Sequence, residues 1–446
     1  MPALEELDLP EIDPADPELK GERWHERMRE LAAATMRGDR SGVRLARAPL
    51  ATVVLDREGG EFFLRTKAAI FPGVLLADLF GISDGPLREE VVRNIINVNG
   101  ADHGRLRRLV NPALAPRAID RYRPAMREIL AELWEPIGTV EEGGDDGAGG
   151  AGGAGGSAGG SAGVTDGGWP VEVDLVASLT RPYPARVIAA VMGAPAEDAD
   201  RLHDWSMWIQ RQFDPIALGD PEQLATIQRK VEEFYGWVRP LIDRRRETPS
   251  DDLISSLIAA EEEGDRLSGV ELENLVLNIL VGGVDTSQSQ LAHALRLLAA
   301  EPEQWAALRA DPDGLALRAV DEAVRFEPIT PFTARLLTED VEYGGVTFPQ
   351  GTVVSICSFT GNRDPEAFAD AERFDITVER DAARSLTFGA GIHFCVGRNL
   401  ARAEIAEALA FLAGRVEWIE PAAEPGLQSV SGIYGVESLP VRIGLG

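Results

Sequence analysis

The chain has 446 residues, 44% of them hydrophobic and 26% charged, with a formal net charge of −29. That balance excludes a disordered chain and leaves enough apolar side chain for a large core, while the acidity excludes a general affinity for nucleic acid or anionic membrane surfaces. No apolar run reaches the ~18 residues of a membrane span, the acidic, proline-broken first 30 residues lack a signal-peptide core, and two cysteines give no disulfide framework, so a cytoplasmic protein without a membrane anchor is expected.

In chain order, the first patterned segment is ATVVLDREGGEFFLRT (51–66), whose β-branched and aromatic residues predict an early group of strands. Apolar residues at three- and four-residue steps then predict a helix over 120–137. The stretch 143–168 is more than half glycine with no apolar pattern, and such a segment cannot repay its ordering entropy. It reads as a flexible tether. Helical spacing resumes over 174–193, 222–247, 271–300 and 314–328. Short strands are expected late, within 336–357 and 437–445. The fold class is therefore mainly α with small β-sheets. Cys357, inside the apolar run TVVSICSFT, reads as inert core.

Two features do not fit simple packing. The central segment 271–300 carries adjacent glycines, Gly282 and Gly283, each costing about 1 kcal/mol relative to alanine inside a helix. Asp285 and Thr286 follow at once. Together they predict a helix opened locally so that something bulky lies against its backbone, faced by a carboxylate and a hydroxyl. The second feature is TFGAGIHFCVGRNLARAE (387–404), where Cys395 precedes a helical run and glycines flank it. Amides at a helix start favour a thiolate, and the glycines let backbone approach a flat ligand.

The pattern Phe388-Gly389-x-Gly391-x-His393-x-Cys395-x-Gly397 resembles the haem-binding loop of the cytochromes P450, the haem-thiolate monooxygenases. Three further stretches are similar to family motifs in the same order: DHGRLRRLVNP (102–112), GGVDTS (282–287) and Glu322-Ala323-Val324-Arg325. The resemblance covers nearly everything except the glycine tether. It implies one P450 domain over 1–446, with 143–168 as a loop insertion and haem b held between the long central helix and the cysteine loop.

By that resemblance Cys395 is the metal ligand, Phe388 and Gly389 belong to the cofactor loop, and His103, Arg107, Arg335 and His393 bind the haem propionates. Asp285 and Thr286 become the catalytic pair that handles dioxygen and links it to solvent protons. Glu322 and Arg325 are expected buried, joined to the meander FADAERFD (368–375). Ser287 stands where the family often has a second threonine, and NGAD before His103 lacks a proline-rich lead common in bacterial members.

The implied reaction inserts one atom of O₂ into a hydrophobic small molecule. Its electrons come from a separate ferredoxin and an NAD(P)H-dependent ferredoxin reductase, with Arg105, Arg108, Arg398 and Arg402 as a local basic patch for the ferredoxin. Substrate contacts are expected from the loop before Asp102, from Trp205, Trp208 and Phe213, near Val281, along Ile329 to Thr333, and at Ile433 and Tyr434. A peroxide-driven or oxidative-coupling variant, and a haem-based gas-binding protein, stand as alternatives. Retention of Asp285 and Thr286 argues against the peroxide version.

Overall fold

The computed structural model describes residues 4–38, 43–138, 170–262, 267–381 and 385–446. The glycine-rich stretch 143–168 lies outside the described residues. Helices dominate, as the periodicity predicts: Arg123–Gly138, Pro182–Met192, Ala199–Gln210, Pro221–Glu247, Pro312–Phe326 and Arg398–Ala413 surround the central segment. One apolar core runs from Ala77 and Leu130 to Leu175 and Ile443, drawing on both sides of the glycine-rich stretch.

A five-stranded sheet lies beside the helices in the spatial order Leu45–Ala48, Ala51–Val54, Val353–Cys357, Phe332–Leu337 and Ala69–Ile70. Only the pair Ala51–Val54 with Val353–Cys357 is parallel. A three-stranded antiparallel sheet joins Val171–Asp174 to Pro440–Leu445 and Val416–Pro421. Cys357 is buried and free, with its sulfur 3.7 Å from that of Met28, as an inert core residue should be.

The early strand expectation is half right. Ala51–Val54 is a strand, but Arg57–Arg65 is a helix, because the Asp56 side chain accepts the Gly59 N–H at 2.6 Å and caps it. Phe63 and Leu64, which read as strand residues, are the buried face of that helix.

The central segment is two helices rather than one, Gly269–Gly283 and Asp285–Ala300. The first opens on a capping box, with the Ser268 hydroxyl accepting from Glu271 N–H and the Glu271 carboxylate accepting from Ser268 N–H at 2.7 Å. Val284, at φ −98° and ψ −68°, makes the break. The glycines divide the work: a Cβ on Gly283 would come within 2.8 Å of Ile188, whereas one on Gly282 would meet nothing within 4 Å. Gly283 lets a neighbouring helix in, and Gly282 bares backbone to a cavity.

Behind the cysteine loop, Arg325 is 1% exposed and spends its guanidinium completely. It forks onto Glu322 at 2.8 and 2.7 Å and donates to the carbonyls of Asn362 (3.0 Å), Ala371 (2.7 Å) and Arg373 (2.9 Å). Arg380 closes the far side of Glu322 at 3.0 Å. The expected junction of this pair with the segment 368–375 is present.

Candidate active site

The broken central helix and the cysteine loop face one cavity of about 1280 Å³. Asp285, Thr286, His103, Arg107, Arg335, Phe388, Gly389, His393 and Cys395 all line it. Residues separated by up to 292 positions are thus brought to one place by four elements of the fold.

The loop that carries Cys395 is shaped by two glycines in the left-handed region, Gly389 at φ 69° and Gly391 at φ 71°. At Gly391 a Cβ would come within 2.7 Å of the Leu64 carbonyl, so the loop can lie against the helix Arg57–Arg65 only with glycine there. Cys395 N–H returns to the Phe388 carbonyl at 2.9 Å and closes the turn. The surface that Cys395 exposes faces the cavity, with dense protein around it. Burial pushes its thiol up, against the opposing pull of the Gly397 amide, the Arg107 charge and the Arg398 amide. Burial wins, so the protein alone favours the thiol; a cation bound at the sulfur would reverse that.

Around the cavity edge two arginines and two histidines gather. Arg335 is 3% exposed, donates at 2.8 Å to the carbonyl of Ala334, and is lowered to about 10 by burial alone. Burial likewise lowers Arg107, eased by the Cys395 charge. The His103 and His393 rings meet edge to face at 4.5 Å, and His393 is pushed down to about 3 by burial and by the neighbouring His103, Arg335 and Arg107. No carboxylate acts on Arg107 or Arg335 among the described residues. A buried cation such as Arg335 without a counter-ion is costly, and with half-buried Arg107 beside the same cavity the pair is complementary to a ligand that brings negative charge.

On the opposite wall Thr286 donates its hydroxyl hydrogen to the Gly282 carbonyl at 2.6 Å, across the break. Asp285, 6% exposed, is raised to about 7 by burial, with distant Arg211 pulling the other way. Its place in the first turn of a helix would lower it by the equivalent of less than about 1 kcal/mol. Desolvation is the larger effect.

A match to the family model described as Cytochrome P450 covers residues 205–425. Luteothin monooxygenase of Streptomyces thioluteus is 34% identical over 98% of this chain and 97% of its own length. The 6-deoxyerythronolide B hydroxylase of Saccharopolyspora erythraea is 33% identical over 79% of this chain and 80% of its own. Among solved structures, CalO2 superposes with a TM-score of 0.81 at 26% identity, covering 98% of this chain and 99% of that one. The chain is a cytochrome P450.

Membership makes this protein a haem-dependent monooxygenase. The residues present fit that cofactor: buried Arg335 and half-buried Arg107, neither paired to a carboxylate among the described residues, would be neutralised by its propionates, a thiol lines the same cavity, and Gly282 presents bare backbone to it.

Part of the expected substrate surface does line the P450 cavity: Phe213, Val281, Ile329, Thr330, Thr333 and Ile433. Trp205, Trp208 and Tyr434 do not. The helix Ala199–Gln210 turns Trp205 toward Phe234 and Trp237, at 5.7 and 5.4 Å, and presents Met207 and Gln210 to the cavity instead. Trp208 lies under the Arg211 guanidinium at 4.6 Å, and Tyr434 is buried against His293 with its hydroxyl accepting from Gly21 N–H. The proposed basic patch is also reduced: Arg105 is paired with Glu271, and Arg402 forks onto Asp321 at 2.6 Å.

A buried carboxyl at the cavity escaped the sequence reading. Glu404, on the helix Arg398–Ala413, is 1% exposed and raised to about 8 by burial, eased by the facing Ser287. That contact falls short of full geometry: neither Glu404 oxygen nor the Ser287 hydroxyl completes a hydrogen bond among the described residues. The only signal was a glutamate on the apolar face of its helix, a pattern shared by many paired core residues.

Its stability consequence has a definite sign. Below pH 4.5 the carboxyl is neutral both folded and unfolded; above that the unfolded chain ionises first, so the fold loses stability until about pH 8, where the buried group also ionises. Glu404→Gln is expected to flatten this part of the profile, measured as thermal midpoints across that range. An unchanged slope would remove Glu404 as its source.

Proposed function

We propose that Cys395 holds the haem iron, that His103, Arg107, Arg335 and His393 bind the propionates of haem b, and that Asp285 and Thr286 manage protons on the opposite face. Haem b is favoured over a covalently attached haem because the two cysteines, Cys357 and Cys395, offer no paired attachment motif. The observation that carries the reading is the convergence on one cavity of the thiol, the opened helix, and two arginines without carboxylate partners among the described residues, Arg335 buried and Arg107 half-buried. Bound there, the haem supplies reductive activation of O₂: one oxygen atom enters a substrate C–H bond and the other leaves as water, with two electrons and two protons consumed.

The protein's own residues then have distinct tasks. Arg107 and Arg335 orient the cofactor through charge-assisted hydrogen bonds. Asp285, raised to about 7, exchanges a proton near neutral pH without leaving its helix. Ile95, Ile96, Ile279, Val281, Ile329 and Ile433 supply an apolar surface that excludes water and receives a hydrophobic small molecule.

Electrons come from a ferredoxin and its NAD(P)H-dependent reductase in the cytoplasm. In support, one of the two cysteines is core, leaving too few thiolates to ligate an iron–sulfur cluster in this chain. Among the described residues no helix is long and apolar enough to cross a membrane. The chain forms one domain, with 143–168 as an insertion.

The reading is tested on the reduced, CO-treated protein, expected to give the shifted Soret band of a thiolate ligand; a histidine-type spectrum overturns it. Thr286→Ala is expected to keep that band while diverting reducing equivalents from product to hydrogen peroxide. Peroxide and product are measured against NAD(P)H consumed, and an unchanged ratio would take Thr286 out of the chemistry. Asp285→Asn should slow turnover by about 10²-fold, the lower end of general acid–base contributions.

A further inference from the structure

The segment Asn94–Asn99 has no regular structure, yet its Ile95 and Ile96 form part of the cavity wall. It holds itself largely by local bonds: the Asn94 side chain accepts from Ile96 N–H at 3.1 Å, and Asn97 donates to the Val91 carbonyl at 2.7 Å. Among the described residues, one hydrogen bond ties the backbone of this segment to a distant element, from Ile95 N–H to the Asn278 side-chain oxygen at 3.0 Å. Asn278 sits on the helix Gly269–Gly283, one turn before the bared Gly282.

The amide of Asn278 is itself fixed from behind. Its nitrogen donates to Glu90 Oε1 at 3.1 Å, and the same oxygen accepts from Asn94 at 2.6 Å. Glu90 is fully buried, and its second oxygen has no hydrogen-bond partner among the described residues; neither does the buried Gln212 beside it, in the turn Arg211–Phe213. A carboxyl kept in such a place costs stability, so packing alone does not account for it. Asn278 and Asn94 also line the cavity, but the oxygen and nitrogen of both amides are already engaged within this network. The wall offers isoleucine side chains.

We infer that Asn278 is a positioning residue for substrate selection: backed by Glu90, it pins Ile95 and Ile96 as a fixed apolar wall that selects substrates by shape rather than by hydrogen bonding. This rests on the haem-thiolate reading of the cavity. The segment also reaches the cofactor side at its far end, where Asn99 Oδ1 lies 3.3 Å from His393 Nε2, so a ligand without a tail is the control for that side.

The test uses imidazole and 1-dodecylimidazole, which both bind ferric haem iron through nitrogen and shift its Soret band, but differ in whether a tail runs along the walls. For Asn278→Leu and Asn278→Ala, imidazole should bind within about twofold of the parent. 1-Dodecylimidazole should weaken by at least about fivefold, the scale of one or two lost methylene contacts. Glu90→Gln, which keeps an acceptor oxygen for both asparagines, should restore parental discrimination, whereas Glu90→Leu should reproduce the loss. Equal binding of the long ligand by all variants overturns the inference, as does parallel weakening of both ligands, which would mark general damage to the site. Absence of any imidazole shift in the parent protein would instead defeat the haem reading itself.

Discussion

Cys395→Ala is expected to lose the thiolate-type reduced-CO band and to lower monooxygenase turnover by roughly three orders of magnitude or more, about 4 kcal/mol of barrier. No neighbour can substitute. The adjoining residues Phe394, Val396 and Gly397 carry no ligating side-chain atom, and His393 is turned against the His103 ring at 4.5 Å. Charge on the sulfur would also be balanced by Arg107 and by the Gly397 and Arg398 amides. Haem-to-protein ratio and the reduced-CO spectrum check this together. Retention of an unaltered spectrum would mean that iron is held elsewhere, and the assignment of every residue around the cavity would have to be reversed.

Arg325→Ala is expected to prevent stable folding, because it removes five hydrogen bonds and strands Glu322, 4% exposed, beside a single remaining cation. Breaking a buried pair in this way costs about 3–5 kcal/mol, against a total stability of about 5–15 kcal/mol for typical domains. Arg325→Lys should rescue little, since one ammonium cannot span a carboxylate and three carbonyls arranged around a planar fork. The measurement is the urea midpoint of the cofactor-free protein, which separates folding from haem retention. A variant that unfolds at the parental midpoint would show that the loop carrying Asn362, Ala371 and Arg373 is anchored by something else.

The parts of this molecule legible in its sequence are those where a local rule and the long-range fold agree. Helical spacing over 222–247 and 314–328 survives because the same faces that read as apolar, including Val231, Phe234, Val320 and Val324, are the ones buried. The motif residues of the cavity were legible because residue type and order are unusual together: Gly389, Gly391 and Cys395, or Gly282, Asp285 and Thr286.

Where sequence reading failed, the deciding contact was in one case a local cap, from Asp56 to Gly59, and otherwise a residue distant in the chain. EGGEFFLR looks strand-like until Asp56 caps it as a helix, and Trp205 looks like a substrate contact until Phe234 and Trp237 claim its face. Glu404 gave only the weak signal of a glutamate on an apolar helix face and Glu90 was not singled out, since a buried carboxyl is recognisable only once its surroundings are known. The arginine patch failed for the same reason, with Glu271 and Asp321 lying far away in sequence from the side chains they neutralise.

The 2.6 Å bond from Thr286 to the Gly282 carbonyl commits the only hydrogen of that alcohol to the main chain. What remains directed at the cavity is a pair of electron lobes, which attract a guest that carries its own proton and are indifferent or repulsive to one that does not. The helix break therefore does more than make room: it sets the polarity of the greeting, and an alanine in place of Thr286 would admit protonated and bare guests alike.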